Sequence, residues 1–201
     1  MPSANFSIPV SRVLADLDAA ETEAMEIIEG ISDRQANWSP SEHSWTILQC
    51  LTHLSRINRI YAAAMYEAIS RKNAITSTEY PAMADRIDGP PISPGWLASR
   101  FIRAMEPPVR THMKAPSKSR PVAEIRDRRE ALGEFIESHK PIRGVIERSS
   151  GVDLNAVRFK NPFIAVLRFS VGTGLLVVNA HDRRHLWQAN QIRLAPGYPE
   201  K

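Results

Sequence analysis

The chain has 201 residues, of which 43% are hydrophobic and 24% charged, enough for one sizeable core and too apolar for a disordered or fibrous protein. Its net charge of +4 is spread over 26 basic and 22 acidic residues, with no long basic run and no interleaved aromatics, which argues against a nucleic-acid partner. The single cysteine, Cys50, precludes an intrachain disulfide, and no run approaches the roughly 18 uninterrupted apolar residues of a bilayer-spanning helix, so no membrane association is expected.

The first stretch, MPSANFSIPVSRVLADLDAAE, has no basic leading region and reaches Asp16 and Asp18 before any long apolar run, unlike a secretory signal. With one cysteine, the cytoplasm is the default compartment. Ser7 is a candidate cap for a helix with Pro9 at an early position and Val10, Val13, Leu14, Leu17, Ala20, Ala24, Met25, Ile27 and Ile28 at helical spacing, ended by Gly30. Asp16, Asp18, Glu21, Glu23 and Glu26 read as its solvated outer face. A connector follows, in which Trp38 and Ser39-Pro40 provide turn chemistry and an aromatic to close one end of the core.

A second helix is predicted from Ser44 to about Arg71, marked by Trp45, Leu48, Leu51, Leu54, Ile57, Tyr61, Met65 and Ile69. His53 lies beside this stripe, in step with Cys50 and Ile57. Between 72 and 120 the chain changes character, since eight of the fifteen prolines fall there or at its border (Pro81, Pro90, Pro91, Pro94, Pro107, Pro108, Pro116 and Pro121). Regular structure must therefore be short, and PGWLASRFIRAM is predicted to be one amphipathic helix in a long crossover that folds over the body and borders a ligand site.

Ser119, Pro121 and Glu124 announce a third long helix, continued by Val122, Ile125, Leu132, Phe135 and Ile136 and interrupted at Pro141. The segment SGVDLNAVRFKNPF reads as loop. Ser170 then offers an N-cap for a last helix ending near Arg193, where Gly172 and Gly174 mark the close approach of another backbone. Four long amphipathic helices without alternating strand patterns predict an all-α fold, an antiparallel four-helix bundle in one domain spanning 1–201, with 72–120 as the crossover between its second and third helices. A homodimer is the default assembly.

The chemistry concentrates on VGTGLLVVNAHDRRHLWQANQI. At about 100° per residue, His181 and His185 lie roughly 40° apart and one turn from each other, on the stripe of Val171, Leu175, Val178 and Ile192. Asp182, Arg183 and Arg184 fall to the sides or back. The residue after His181 is Asp182, so the glutamate base of an HExxH protease is missing. His53 supplies a third imidazole on a core-facing flank. Three buried rings each need a partner for their nitrogens, and one divalent cation serves all three, with zinc and nickel both suited to imidazole. Three neutral ligands leave an open position for water or a small-molecule substrate. Cys50 reads first as a buried small hydrophobe and secondarily as a neighbour of the site, Gln188 as a partner for His185, and Arg184 as exposed charge able to reach a substrate at the mouth. His139 follows Leu132 and Ile136 on the inward stripe of the third helix, which leaves an approach to the site open, but its first reading is a capped or solvent-reaching ring near Pro141, while His43 and His112 are expected to lie on the surface.

The phrase Trp45-Thr46-Ile47-Leu48-Gln49-Cys50-Leu51-Thr52-His53-Leu54, preceded by Trp38-Ser39-Pro40 and answered by His181-Asp182-Arg183-Arg184-His185-Leu186, resembles the DinB-like superfamily of four-helix bundles. The resemblance implies that His53, His181 and His185 bind a divalent metal. It also implies an activity like that of members resembling S-transferases or isomerases that use a low-molecular-weight thiol, though many members have no assigned activity. Three readings stay open: a metal-dependent enzyme acting on a small electrophile by thiol transfer or hydrolysis, a non-catalytic, stress-associated metal-binding or interaction protein, and a plain helical bundle whose histidines are satisfied core residues.

Overall fold

The computed structural model describes residues 7–73, 91–109, 120–121, 124–149, 152–164 and 166–201. The apolar spacing of the first segment folds as α1 (Val10–Ile28), with Val13, Leu17, Ala24 and Ile27 buried. Pro9, rather than Ser7, stands at its N-cap. Ile8 exchanges backbone hydrogen bonds with Ile92 at 2.9 and 2.7 Å, so the chain stays extended up to the proline.

The following connector contains a turn of helix, α2 (Asp33–Ala36), fixed by a reciprocal capping box between Ser32 and Gln35. A second such box opens α3 (Ile47–Asn73): Gln49 N–H donates to Thr46 Oγ1 at 3.0 Å, and Thr46 N–H donates to Gln49 Oε1 at 3.0 Å. The predicted short helix of the crossover is α4 (Trp96–Met105), which buries Ile102 and Met105.

Helix α5 (Arg128–Arg148) begins later than the Ser119-Pro121-Glu124 signal suggests. Asn37 grips the extended backbone of Arg126 from both sides, donating to its carbonyl at 2.9 Å and accepting from its N–H at 3.1 Å. Asp127 then caps the helix by accepting from the N–H groups of Arg129 and Glu130. Ser119 and Val122 lie outside the described residues. Pro141 does not break α5. An internal proline costs about 3 kcal/mol, and the buried row Phe135, His139, Ile142, Val145 and Ile146 on both sides of it holds the helix together.

The stretch read as loop carries β1 (Arg158–Lys160), which pairs in a small antiparallel hairpin with β2 (Arg168–Ser170) just beyond it, Phe159 lying opposite Phe169. Three residues per strand are too few to show an alternating pattern in sequence. Ser170 ends β2 and caps α6 (Val171–Arg193), its side chain accepting from Thr173 N–H. Helix α6 is buried on every side from Val171 to Ala180, a central helix rather than one with a single inward stripe. Gly172 meets another backbone, its N–H donating to the Leu154 carbonyl at 2.8 Å, and side chains crowd both glycines: a Cβ at Gly174 would lie 2.7 Å from Phe159 and 2.8 Å from the Met65 sulfur, and one at Gly172 would lie 2.8 Å from Ile92.

The molecule is thus an all-α bundle of α1, α3, α5 and α6, carrying the hairpin and α4 as additions. Residue pairings give its directions. Asn58 with Ser138 and Tyr66 with Arg148 run α3 parallel to α5, as the long crossover requires. His53 with His181 and Met65 with Gly174 run α3 antiparallel to α6. Val13 with Asn179 and Glu23 with Asn190 set α1 parallel to α6, and Asp18 with Arg143 and Glu21 with His139 set it antiparallel to α5. The antiparallel arrangement inferred from the sequence is thereby refined to an up, down, down, up order. Among the described residues, no helix is long and apolar enough to cross a membrane.

Candidate metal centre

Antiparallel packing of α3 on α6 brings His53 alongside the pair His181 and His185. One nitrogen of each ring lies within 4.8 Å of the others, the only group of three or more potential metal-ligating side chains of this kind among the described residues. The ring centroids are 4.6 to 5.1 Å apart. His53 is 3% and His185 7% exposed, so neither ring nitrogen can rely on bulk water.

His53 Nε2 and His181 Nε2 stand 3.3 Å apart. Two nitrogens bound at about 2.0 to 2.1 Å to one tetrahedral zinc ion stand about 3.4 Å from each other, so this spacing suits a shared cation. His185 Nδ1 is 3.0 Å from Gln188 Oε1. The Nδ1–H is the donor to that amide oxygen, which leaves Nε2 with its lone pair for a ligand. Burial, then the neighbouring imidazoles His185 and His53 and the Arg184 guanidinium, hold the His181 pKa well below the ordinary histidine value. Burial, then His53 and Arg184, do the same for His185. Both rings are therefore neutral at pH 7, the form that binds a metal.

One feature opposes a cation. His181 Nδ1 is enclosed with no hydrogen-bond partner among the described residues, and a ligand on Nε2 would leave the proton there. An unsatisfied buried donor costs about 1 to 3 kcal/mol, whereas structural zinc sites contribute about 10 to 16 kcal/mol. The residues present fit a divalent ion.

Trp45, immediately before the Thr46 cap, covers the cluster. Its indole stacks on His185 at 5.2 Å and 13°, and tilts against His53 at 4.9 Å. A cavity of about 230 Å³ opens on the other side of His53. One wall is a face of α3, formed by Leu48, Gln49, Thr52, His53 and Arg56. The opposite wall comes from the chain entering α5, with Arg120, Pro121, Glu124 and Arg126.

Behind the histidines runs a buried polar chain. Asp182, fully buried, accepts from Asn58 Nδ2 at 3.2 Å and pairs with His139 Nε2 at 3.1 Å. His139 Nδ1 faces Glu21 Oε1 at 2.9 Å, and Arg143 donates to both Glu21 and Asp18. Burial works against a charged His139 ring, but the hydrogen bonds and charges of Asp182 and Glu21 together outweigh it and raise the pKa above its usual value. With a carboxylate on each nitrogen, the ring is an imidazolium. Because Asp182 adjoins His181, this chain fixes the rotation of α6 that turns His181 and His185 toward α3.

Several sequence expectations change here. His139 is fully buried rather than solvent-reaching. Asp182 points inward, toward Asn58 of α3 and His139 of α5. Arg183 is not simply exposed: it donates to both carboxylate oxygens of Glu106 at 2.9 and 2.6 Å and to Asp16 at 2.9 Å. Arg184 is 8% exposed and donates to the Ala104 carbonyl at 3.3 Å, pinning the end of α4 to α6. The acidic face of α1 is partly interior, with Asp16, Asp18, Glu21 and Glu23 all partnered. Cys50 is completely buried in the apolar cluster around Leu51 and Phe135, outside the histidine group and away from any mouth. His43 is exposed, and His112 lies outside the described residues. The sequence marked Trp45 as an apolar residue of the second helix but not as a cover of the histidines, and it did not single out Asn58 and Arg56. The helical spacing of Thr52, His53 and Arg56 was the available signal for the last.

The family model of the DinB superfamily matches residues 16–189. No curated protein and no solved structure matches the chain.

Proposed function

We propose that this chain, which belongs to the DinB superfamily, is a divalent-metal-dependent enzyme acting on a small electrophile, with His53, His181 and His185 as the metal ligands. The observation that carries this reading is the convergence of three imidazoles from α3 and α6, those of His53 and His185 buried and that of His181 partly so, beside a cavity. A purely structural zinc site has four protein ligands, and here no fourth His, Cys, Asp or Glu joins the three among the described residues.

Zinc or nickel suits the imidazole set, and such an ion, when bound, supplies Lewis acidity that lowers the pKa of a coordinated water or thiol. The chain's own groups do the rest. Gln188 fixes the tautomer of His185. Trp45 shields one face of the histidines from water, and His53 faces the cavity where a substrate enters. Transfer of a low-molecular-weight thiol to the electrophile is the reaction favoured by the family membership, with hydrolysis of a small substrate as the alternative.

The test is turnover by metal-loaded protein against a panel of electrophiles, with and without small thiols. Activity that disappears on chelation and returns with zinc or nickel supports the reading. Stoichiometric metal with no turnover, together with unfolding when the metal is stripped, supports the non-catalytic alternative, in which the ion ties α3 to α6.

A further inference from the structure

The cavity beside His53 has a wall chemistry that the metal ligands do not use. Arg56, exposed on α3 one turn beyond His53, makes no ion pair among the described residues. Thr52, on the same wall, has its hydroxyl oxygen enclosed without a hydrogen-bond partner among the described residues. Arg126 on the facing wall is already committed, donating to both oxygens of Glu134 at 2.9 Å. Leu48 and Pro121 add apolar surface, and Gln49, Arg120 and Glu124 are the further polar members of the lining. A planar guanidinium and a hydroxyl donor four residues apart on one helix face present N–H and O–H groups to a single acceptor. A carboxylate answers both, accepting from the guanidinium through two oxygens.

We infer that the small molecule handled at the histidine site carries a carboxylate, seated against Arg56 and Thr52 with its remaining atoms directed toward His53. The volume of about 230 Å³ is below the roughly 300 Å³ at which drug-sized pockets begin, which selects a short organic acid rather than a bulky ligand. This inference rests on the metal-dependent reading of the same site.

The experiment titrates metal-loaded protein with short-chain mono- and dicarboxylates and with the corresponding uncharged amides, following heat of binding. Metal content is measured separately in every sample. At least one carboxylate is expected to bind while its amide does not. Arg56→Ala should weaken that binding about tenfold or more, and Arg56→Lys should restore part of it. Because Arg56 is exposed, both variants should keep the wild-type fold and metal content. Acids that bind no better than amides, or equally well in Arg56→Ala, would overturn the inference while stoichiometric metal leaves the metal reading intact. Protein that takes up no metal defeats the underlying reading and this inference with it.

Discussion

The indole of Trp45 lies nearly parallel to the imidazole of His185, with centroids 5.2 Å apart and planes 13° from each other. Any charge or ligand acquired by that imidazole is therefore felt directly by the tryptophan π system. Titration with Ni²⁺ is expected to quench Trp45 emission, and the quenching should be absent in Trp45→Phe although that variant still binds metal. Trp45→Ala removes the cover from His185 and His53 and should weaken metal binding about tenfold, as losses in the shell around metal ligands typically do. Equal quenching in wild type and Trp45→Phe would separate Trp45 from the site.

The chain Asp182, His139, Glu21 is predicted to be a principal source of stability. His139→Ala leaves the buried Asp182 carboxylate without its cation, and breaking a buried pair costs about 3 to 5 kcal/mol. Denaturant unfolding measures it. The pH dependence has a definite sign. The His139 pKa is higher in the folded than in the unfolded chain, so its contribution is complete below about pH 6.5, the unfolded value, and is lost as pH rises through the folded value. The stability gap between wild type and His139→Gln should shrink on going from pH 6 toward alkaline pH. A gap that widens would contradict the imidazolium assignment.

His181 and His185 act in the opposite sense. Their folded values lie below the unfolded one, so metal-free protein should lose stability as pH falls below about 6.5, where the unfolded chain takes up protons that the folded chain refuses. Replacing both residues by Asn should flatten that acidic limb of the stability profile. An unchanged limb would mean that the rings are not buried neutral.

Gly174→Ala tests the seating of α6 under the hairpin. The added methyl would lie 2.7 Å from Phe159 and 2.8 Å from the Met65 sulfur. Overpacking typically costs about 1 to 3 kcal/mol, against about 1 kcal/mol gained in helix propensity. The net expectation is a lowered melting temperature, partly recovered when Phe159→Leu makes room.

The bundle was legible in the sequence because the long helices announce themselves by apolar periodicity, and the proximity of His181 and His185 follows from one helical turn. The approach of His53 followed from the cost of several imidazoles on core-facing flanks. What escaped notice depends on tertiary surroundings. Asp182 and Arg184 look like surface charges on a helix assumed to have one buried stripe, and only the packing of α3 and α5 against Asp182 and of α4 against Arg184 turns them inward. His139 seemed destined for solvent because Pro141 promised a helix end that packing overrode. The late start of α5 depends on Asn37, 89 residues from its partner Arg126, a contact no local pattern encodes.

Elemental analysis of purified protein, compared with His53→Ala, His181→Ala and His185→Ala, tests the central claim most directly. The account predicts about one equivalent of a divalent ion per wild-type chain and its loss in each of the three variants, while Cys50→Ala retains it. Wild type and His181→Ala with the same metal content, or no metal in either after loading with zinc and nickel, would contradict it.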